Sequence, residues 1–258
     1  MSDLLVEKTE QCTSLILNRT DKHNAFDDSL IASLVEALEQ AIGDDQTRAI
    51  VLRANGKSFS AGADLNWMQC MVEYSEEQNY QDSMALARLM HLLHTSPKPT
   101  VAMVQGAAFG GGVGLVAACD IAIASQDALF CLSEVKLGLL PAVISPYVIS
   151  AIGKRQASRY FLTAERFDAE QALNMGLVHH LTSHDELQAS TEQLIHKIIN
   201  NAPQAVKQSK ELIHFVANQS IDEALIHHTA EVIAKKRVSQ EGQTGLKAFL
   251  NKQKPNWN

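Results

Sequence analysis

A cluster of glycines between an apolar segment and a helical pattern is the first feature of this chain that suggests chemistry. The cluster spans residues 106–114 and includes Gly110, Gly111, Gly112 and Gly114. Glycines at the start of a helix expose backbone N–H groups, and such a site suits an anion. The anion would be a phosphate or the oxyanion of a reacting carbonyl.

One carboxylate, Glu134, follows twenty residues after Gly114 in an apolar stretch that runs from Phe130 to Leu140. Burial raises the pKa of a carboxyl group. Glu134 is therefore predicted to be a general acid/base near neutral pH. The simpler alternative is an exposed charge at the end of a strand.

A second turn of small residues, 57–65, leads into another predicted helix. Two such turns together could supply the two N–H donors of an oxyanion hole. Two carboxylates near these turns, Asp64 and Asp120, are predicted to be caps rather than catalysts.

Two other interpretations of the glycine cluster stay open. Residues 112–117 fit the dinucleotide pattern GxGxxA. However, Asp120 ends the following helix early, and the strand at 121–125 leads into Gln126 rather than an acidic residue. The glycines could also serve close packing of a helix on a strand.

Composition excludes several classes of protein. The 258 residues are 46% hydrophobic with a net charge of −7, which suits a globular protein and argues against a dedicated nucleic-acid binder. No basic leader or apolar run of about 18 residues indicates secretion or membrane insertion. The histidines lack metal-ligand spacing. No CxxC spacing occurs, so reduced thiols in a cytoplasmic protein are predicted at Cys12, Cys70, Cys119 and Cys131.

Strand and helix patterns alternate through the first two thirds of the chain, which predicts an α/β fold with a largely parallel sheet. The predicted strands are 4–8, 13–17, 49–54, 100–104, 121–125 and 129–131, and the predicted helices cover 30–42, a short segment from 64, 76–94 and the segment up to 119.

The pattern becomes almost wholly helical near residue 185. We therefore predict a core at 1–184 and a helical region at 185–258 that ends in a basic, aromatic tail, 245–257. The helices predicted in this region cover 187–200, 203–218, 220–237 and a short segment through 249.

Taken together, these segments resemble the crotonase superfamily of enoyl-CoA hydratases and isomerases. The likeness extends nearly end to end, and its motifs are Asn18-Arg19 with Asn24-Ala25, residues 59–64, 106–120, 134–141 and 172–178, and the tail 249–257. Residues 112–120 and 130–147 resemble bacterial methylglutaconyl-CoA and carboxygeranoyl-CoA hydratases. The resemblance implies a spiral ββα core with a helical C-terminal trimerisation region.

The resemblance also implies roles for individual residues. The N–H groups of Ala63 and Gly111 would form the oxyanion hole for the thioester, and Glu134 would exchange a proton at C2. Ala142 stands where relatives usually have glycine, and its N–H would position water. Contacts with the CoA part of the substrate are implied for Lys22, Ser60, Ala61, Asp64, Phe249 and Lys252.

Partners and cofactors follow from the same resemblance. The chain would act on an acyl-CoA thioester as a homotrimer, or as a hexamer built from two trimers. It would need no metal and no redox cofactor, and CoA would enter as part of the substrate.

Two positions depart from the family pattern. Gly114 occupies the place of the first catalytic glutamate of two-glutamate hydratases, and the missing side chain predicts free room for a branched acyl chain. Asn66 stands where some relatives have a lysine for the CoA phosphate. The basic residues nearest in sequence for a substrate carboxylate are Lys136, Lys154 and Arg155.

Three functions remain in consideration. The leading hypothesis is hydration of a branched 2-enoyl-CoA, in particular 3-methylglutaconyl-CoA in leucine breakdown. A double-bond isomerase that needs one glutamate and no water is the second, and Gly114 favours it. A non-catalytic acyl-CoA-binding oligomer is the third.

Overall fold

A six-stranded sheet forms the centre of the protein, whose computed structural model describes residues 2–9 and 11–257. The first two strands form an antiparallel hairpin, and all other neighbours are parallel, as predicted. In spatial order the strands are β1 (Leu4–Thr9), β2 (Cys12–Leu17), β3 (Ala49–Ala54), β4 (Thr100–Val104), β6 (Ile121–Ser125) and β9 (His180–Thr182).

A smaller three-stranded sheet carries the glycine cluster. It contains β5 (Ala107–Phe109), β7 (Leu129–Cys131) and β8 (Arg166–Asp168), with β5 parallel to β7 and β8 antiparallel to β7. The chain leaves β5 into the glycines and leaves β7 towards Glu134. Because the two strands are parallel neighbours, the glycine cluster and Glu134 both follow the carboxyl ends of strands at the same end of this sheet.

The described residues form ten α-helices around the two sheets. The predicted helices are confirmed, several of them with the caps that their sequences indicate: Asp27 accepts the N–H of Leu30, and Ser75 forms a capping box with Gln78. The helices are α1 (Asp28–Gly43), α2 (Leu65–Glu73), α3 (Glu76–Thr95), α4 (Gly111–Ala118), α5 (Ser145–Thr163), α6 (Ala169–Met175), α7 (Leu187–Ile199), α8 (Pro203–Val216), α9 (Glu223–Val238) and α10 (Gln240–Leu250).

The two faces of the central sheet pack against different helices. Ile50 and Leu52 of β3 belong to the main core with α1, α3 and α4. Val51, between them, points to the opposite face and packs with Leu187 and Ile195 of α7. This alternation is the two-residue period of a strand, and it explains why β3 and β4 are almost wholly apolar.

The last three helices lie mostly outside the core. In α8 the buried side chain is Lys210, whose Nζ lies 2.7 Å from Asp120 Oδ2, while α9 and α10 have no buried residue among those described. Asp120 also accepts the backbone N–H of Thr100 at 2.8 Å, so it joins β4 to α8 instead of capping a helix. The division near residue 184 stays a prediction.

Across the described ranges, no helix combines the length and apolarity that a membrane crossing requires. The same ranges contain no cluster of three or more His, Cys, Asp or Glu side chains that could hold a metal ion. All four cysteines are unpaired, as their spacing predicted, with Cys70 exposed and the other three buried.

Candidate active site

Two chain segments bring the predicted N–H donors to one place. Ser60 forms a parallel bridge with Ala108, so the two segments run side by side in the same direction. Three residues further along each segment lie Ala63 and Gly111. The segments are still in contact shortly before that point, because a β-carbon on Gly62 would lie 3.1 Å from the carbonyl oxygen of Phe109.

The backbone of Ala63 turns its N–H away from the adjoining chain. Phe26 donates its N–H to the carbonyl of Gly62 at 2.8 Å and accepts the N–H of Asp64 at 2.9 Å. Hydrogen bonding alternates along such a bridge, so the N–H of Ala63, between these two residues, points to the opposite side. Within residues 2–9 and 11–257 it has no hydrogen-bond acceptor.

Gly111 begins α4, and its N–H has no acceptor among the described residues for a different reason. The first residues of a helix have no carbonyl one turn earlier to accept their N–H groups. Gly110, just before it, has φ 51° and ψ −119°, a conformation that essentially only glycine adopts. This strained residue turns the chain sharply from β5 into α4.

Close packing accounts for two glycines of the same cluster. A β-carbon on Gly111 would lie 2.3 Å from Phe26 Cζ, and one on Gly112 would lie 2.9 Å from the carbonyl oxygen of Ser60. The packing interpretation of the cluster is therefore correct at these positions, beside its role at the helix start. Phe26 was not singled out from the sequence, although it directly follows the Asn24-Ala25 motif.

Glu134 lies close to this helix start. Gly110 donates its N–H to the carbonyl of Cys131 at 2.8 Å, which joins the end of β7 to the start of α4. Glu134 begins a short 3-10 turn, Glu134–Leu137, three residues later. Its Oε1 would lie 3.3 Å from a β-carbon on Gly110, so its carboxyl group is close to the backbone that leads to the oxyanion donors.

The carboxyl group of Glu134 is half-buried and incompletely paired. In the part of the chain that the structure describes, its Oε2 is buried and has no hydrogen-bond partner. Burial raises the pKa of Glu134, with a weaker opposing effect from its own backbone N–H. An unpaired carboxylate oxygen with a raised pKa is suited to take a proton from substrate or water and return it.

The apolar stretch that suggested burial of Glu134 is only partly buried. Phe130 and Leu132 are in the core, but the side chains that follow Glu134, including Val135, Leu137 and Leu140, are exposed in the single chain. The burial of Glu134 therefore comes from β7 and the glycine turn rather than from both flanks.

The room expected beside Gly114 is absent. A β-carbon on this buried glycine would lie 2.2 Å from Ile144 Cγ2 and 3.1 Å from Met90 Cε. Ile144 and Met90 fill the place where a second carboxylate would stand, so the expectation of space for a branched acyl chain at this position was wrong.

The role expected of Ala142 also needs correction. Its N–H donates to the carbonyl oxygen of Leu140 at 2.8 Å in a tight turn before α5. This N–H is therefore engaged within the protein and is not free to position water.

Four of the residues predicted to contact CoA are Lys22 and three members of the segment 60–64. The Lys22 Nζ lies 2.8 Å from Asp64 Oδ2, and its side chain is partly exposed. Ser60 is fully buried, and its hydroxyl donates to the carbonyl of Asn24. The next residue, Ala61, is exposed, so a ligand would meet this segment at Ala61. Hydrogen bonding to Lys22 lowers the pKa of Asp64 despite burial, and Asp64 caps α2.

The tail residues lie at the end of α10, which packs against α9. Phe249 is 80% exposed, and Lys252 is exposed just beyond the helix. Asn66, on the first turn of α2, is exposed, as are Lys136, Lys154 and Arg155.

The fold and this site define a class of protein, and comparison with known proteins identifies it. The profile of the Enoyl-CoA hydratase/isomerase family matches residues 7–258. The chain therefore belongs to this family, the crotonase superfamily, and the match supports an enoyl-CoA hydratase type of activity on acyl-CoA thioesters.

Individual relatives match over nearly their full length. A solved structure of a Legionella pneumophila protein named for the enoyl-CoA hydratase/isomerase (crotonase) group has a TM-score of 0.97 and 58% identity, covering 100% of both chains. The solved structure of an enoyl-CoA hydratase from Shewanella pealeana has a TM-score of 0.96 and 48% identity, covering 99% of this chain and 96% of the other. The 2,3-dehydroadipyl-CoA hydratase of Escherichia coli is 30% identical in sequence, and the match covers 100% of this chain and 99% of the relative.

Proposed function

We propose that the protein hydrates a branched 2-enoyl-CoA that carries a second carboxylate, with Glu134 as its single acid/base. The particular substrate that we propose is 3-methylglutaconyl-CoA, which would give 3-hydroxy-3-methylglutaryl-CoA in leucine breakdown. One observation carries this proposal: among the residues that the structure describes, the buried Oε2 of Glu134 has no hydrogen-bond partner, and the nearby N–H groups of Ala63 and Gly111 have no acceptor.

The proposed reaction begins with proton transfer from water to the Glu134 carboxylate. The water oxygen bonds to C3, and the C2–C3 π electrons move towards C1, which places negative charge on the thioester oxygen. The N–H groups of Ala63 and Gly111 stabilise that oxygen. Glu134 then returns the proton to C2, so one water is consumed and the glutamate ends as it began.

Support for an acidic acyl group comes from the Escherichia coli relative, whose name describes a dehydroadipyl thioester and hence a second carboxylate. Support for the branched group is the likeness of residues 112–120 and 130–147 to methylglutaconyl-CoA hydratases. The distal carboxylate of such a substrate would assist water activation in place of the side chain that Gly114 lacks.

The active form in this proposal is a homotrimer or a hexamer of two trimers in the cytoplasm. Apolar side chains on the outer helices support such assembly, since Ile213, Ile233 and Phe249 are all exposed in the single chain. Phe215, Val232 and Trp257 also line a cavity of about 840 Å³ between α8, α9 and the tail. Phe249 and Lys252 would then reach the CoA of a neighbouring subunit.

A double-bond isomerase is the second candidate, and one observation favours it. The apolar side chains of Ile144 and Met90 occupy the position from which a second carboxylate would hold water. Moving a double bond from position 3 to position 2 needs only one base, which removes a proton and returns it elsewhere on the substrate.

The deciding experiment is incubation with a panel of enoyl-CoAs, followed by the absorbance of the conjugated thioester and by mass. Hydration of 3-methylglutaconyl-CoA removes the conjugated absorbance and adds one water to the mass, whereas isomerisation of a 3-enoyl-CoA creates the absorbance at constant mass. Equal turnover of uncharged crotonyl-CoA would contradict the part assigned to the distal carboxylate.

A further inference from the structure

Arg19 binds several carboxylates with one buried guanidinium group. Its NH1 lies 2.8 Å from Asp27 Oδ2, its NH2 lies 3.3 Å from Asp64 Oδ2, and its Nε lies 3.3 Å from Asp3 Oδ2. NH1 also donates to the carbonyl of Ala25 at 2.9 Å. Arg19 is only 6% exposed, and its contact with the buried Asp64 lies away from solvent screening, whereas the side chain of Asp3 is 54% exposed.

Two of these carboxylates sit at equivalent places in the fold. Asp27 is the N-cap of α1 and Asp64 is the N-cap of α2. Each directly follows one member of the parallel bridge between Phe26 and Ala63. One guanidinium group therefore holds both strands of that bridge at the point where each enters its helix.

The bridge controls both proposed oxyanion donors. Ala63 supplies one N–H, and its orientation is set by the two hydrogen bonds that Phe26 makes on either side of it. The ring of Phe26 packs against the α-carbon of Gly111, which supplies the other N–H. A displacement of Phe26 relative to Ala63 would therefore move both donors at once.

We propose that Arg19 is a positioning residue of the oxyanion hole, which fixes the Ala63 N–H through Asp27 and Asp64 without touching the substrate. This inference rests on the proposed function of the site and names a residue that it requires. Oxyanion donors act only when they are held close to the position of the developing charge, so a small shift costs much of the rate.

Arginine is required at this position because of its geometry. Its planar group presents N–H donors in fixed directions, which here donate to Asp64 and to the carbonyl of Ala25, while Asp27 and Asp3 form ion pairs with the same group. A lysine would keep the charge as a single point. The ammonium of Lys22 already contacts Asp64 Oδ2 from the exposed side. If Lys22 turns towards the CoA phosphates, Arg19 remains as the partner that holds Asp64.

The test compares R19K and R19Q with D27N, all in the full-length protein. Asparagine caps a helix as well as aspartate does, so D27N removes one charge from the network while keeping the cap of α1. The first readout is the red shift of bound 2,4-hexadienoyl-CoA, a conjugated thioester whose absorbance moves when its carbonyl is polarised. The second is kcat and KM on an enoyl-CoA that the natural protein converts.

We expect R19K and R19Q to lose most of the red shift and to lower kcat about 10- to 100-fold, with the affinity for free CoA changed less than about threefold. D27N should show the same pattern more weakly. R53Q removes the Arg53–Glu7 ion pair at 2.7 Å and D222N alters the cap of α9, and both should leave the shift and kcat unchanged.

Three results would overturn the assignment. They are a folded R19Q that keeps the full red shift, a loss of free-CoA affinity as large as the loss of kcat, or an equal loss of kcat in R53Q. If the natural protein hydrates no enoyl-CoA yet shifts the bound dienoyl thioester, the proposed reaction fails while the shift still tests Arg19. Should all Arg19 variants fail to fold, D27N alone decides, and an unchanged red shift in it rejects the proposal.

Discussion

The α-carbon of Gly114 lies so close to Ile144 that a β-carbon added to Gly114 would come within 2.2 Å of the Ile144 Cγ2 methyl. The second contact, to Ile144 Cβ, would be 2.8 Å. Both residues are buried, Gly114 inside α4 and Ile144 just before α5. The pair therefore decides how α4 and α5 approach each other beside Glu134.

A double-mutant cycle tests this pair. G114A overpacks the contact and should cost about 1–3 kcal/mol of unfolding free energy, while I144A leaves a cavity and should cost about 2–5 kcal/mol. Because the second change relieves the first, the double variant should be more stable than the sum predicts by about 1 kcal/mol or more. Urea unfolding of all four proteins measures the coupling.

The matched control for that cycle is G43A. Gly43 ends α1, and among the described atoms nothing lies within 4 Å of a β-carbon placed there. G43A and I144A should therefore add without coupling. Additivity of G114A and I144A as well would show that the close approach does not govern the packing.

Replacing Glu134 by glutamine should abolish most activity without unfolding the protein. E134Q keeps the shape of the side chain but cannot carry a proton, and loss of general acid/base catalysis costs about 10²- to 10⁴-fold in rate. Because the carboxylate must be ionised to accept a proton, kcat/KM of the natural protein should fall on the acid side at a pH above the ordinary glutamate pKa of about 4.3. A profile of kcat/KM against pH measures where this fall occurs. A fall at the ordinary glutamate pKa would contradict the effect of burial.

The stability of E134Q should change with pH in a defined direction. Burial raises the pKa of Glu134, so the folded protein holds that proton more tightly than the unfolded chain. The free energy of unfolding of the natural protein therefore falls as pH rises between the unfolded and folded pKa values. E134Q lacks this loss and should gain stability relative to the natural protein over the same interval, as measured by urea unfolding at several pH values.

Glu165 provides the opposite control for that measurement. A hydrogen bond from Arg159 lowers the pKa of Glu165, so its contribution to stability is present at high pH and is lost as pH falls. E165Q should therefore lose stability relative to the natural protein as pH rises. The same drift in both variants would rule out the assignment to the individual carboxyl groups.

Gly110 should not tolerate a side chain. Alanine at φ 51° and ψ −119° is strained, and its β-carbon would press on Glu134 Oε1 at 3.3 Å. We expect G110A to lower kcat about 100-fold, since the adjoining N–H of Gly111 would move. G153A is the control, because Gly153 also has positive φ, 73°, with open space around it among the described residues, so it should lose stability without a comparable loss of kcat.

Loss of the Lys22 charge should weaken binding rather than chemistry. K22Q is expected to raise KM for the CoA thioester about three- to tenfold with kcat little changed, and added salt should shrink the difference because the ammonium group is partly exposed. K8Q, which removes the exposed Lys8–Asp44 pair at 3.0 Å, should leave KM unchanged. Equal KM values for K22Q and the natural protein at low salt would remove Lys22 from the CoA site.

The sequence predicted most of the longer elements and the short strand β7, but it missed α5, α6 and the other three short strands. α1 and α3 carry apolar residues at helical spacing, and β3 and β4 are buried runs, so both kinds of element were predicted. β5, β8 and β9 have three residues each, too few for a pattern to show. They form because neighbouring strands supply their hydrogen bonds.

The site followed the same rule. Ala63, Gly111 and Glu134 belong to local motifs, and the fold brings them together. The correction at Gly114 depends on a distant residue, because Ile144 fills the space there only when α5 packs on α4. The correction at Ala142 depends on a tight turn, in which the N–H of Ala142 binds the carbonyl of Leu140, and the sequence motif did not indicate this turn.

The hydrogen bond from Gly110 to Cys131 has a consequence for motion in this protein. It joins the segment that carries the proton acceptor to the segment that carries an oxyanion donor, at 2.8 Å. Local opening that separates the two must first release the Gly110 amide proton to solvent. The hydrogen-exchange rate of the Gly110 amide would therefore report how often the segment of Glu134 and the segment of Gly111 separate in the resting enzyme.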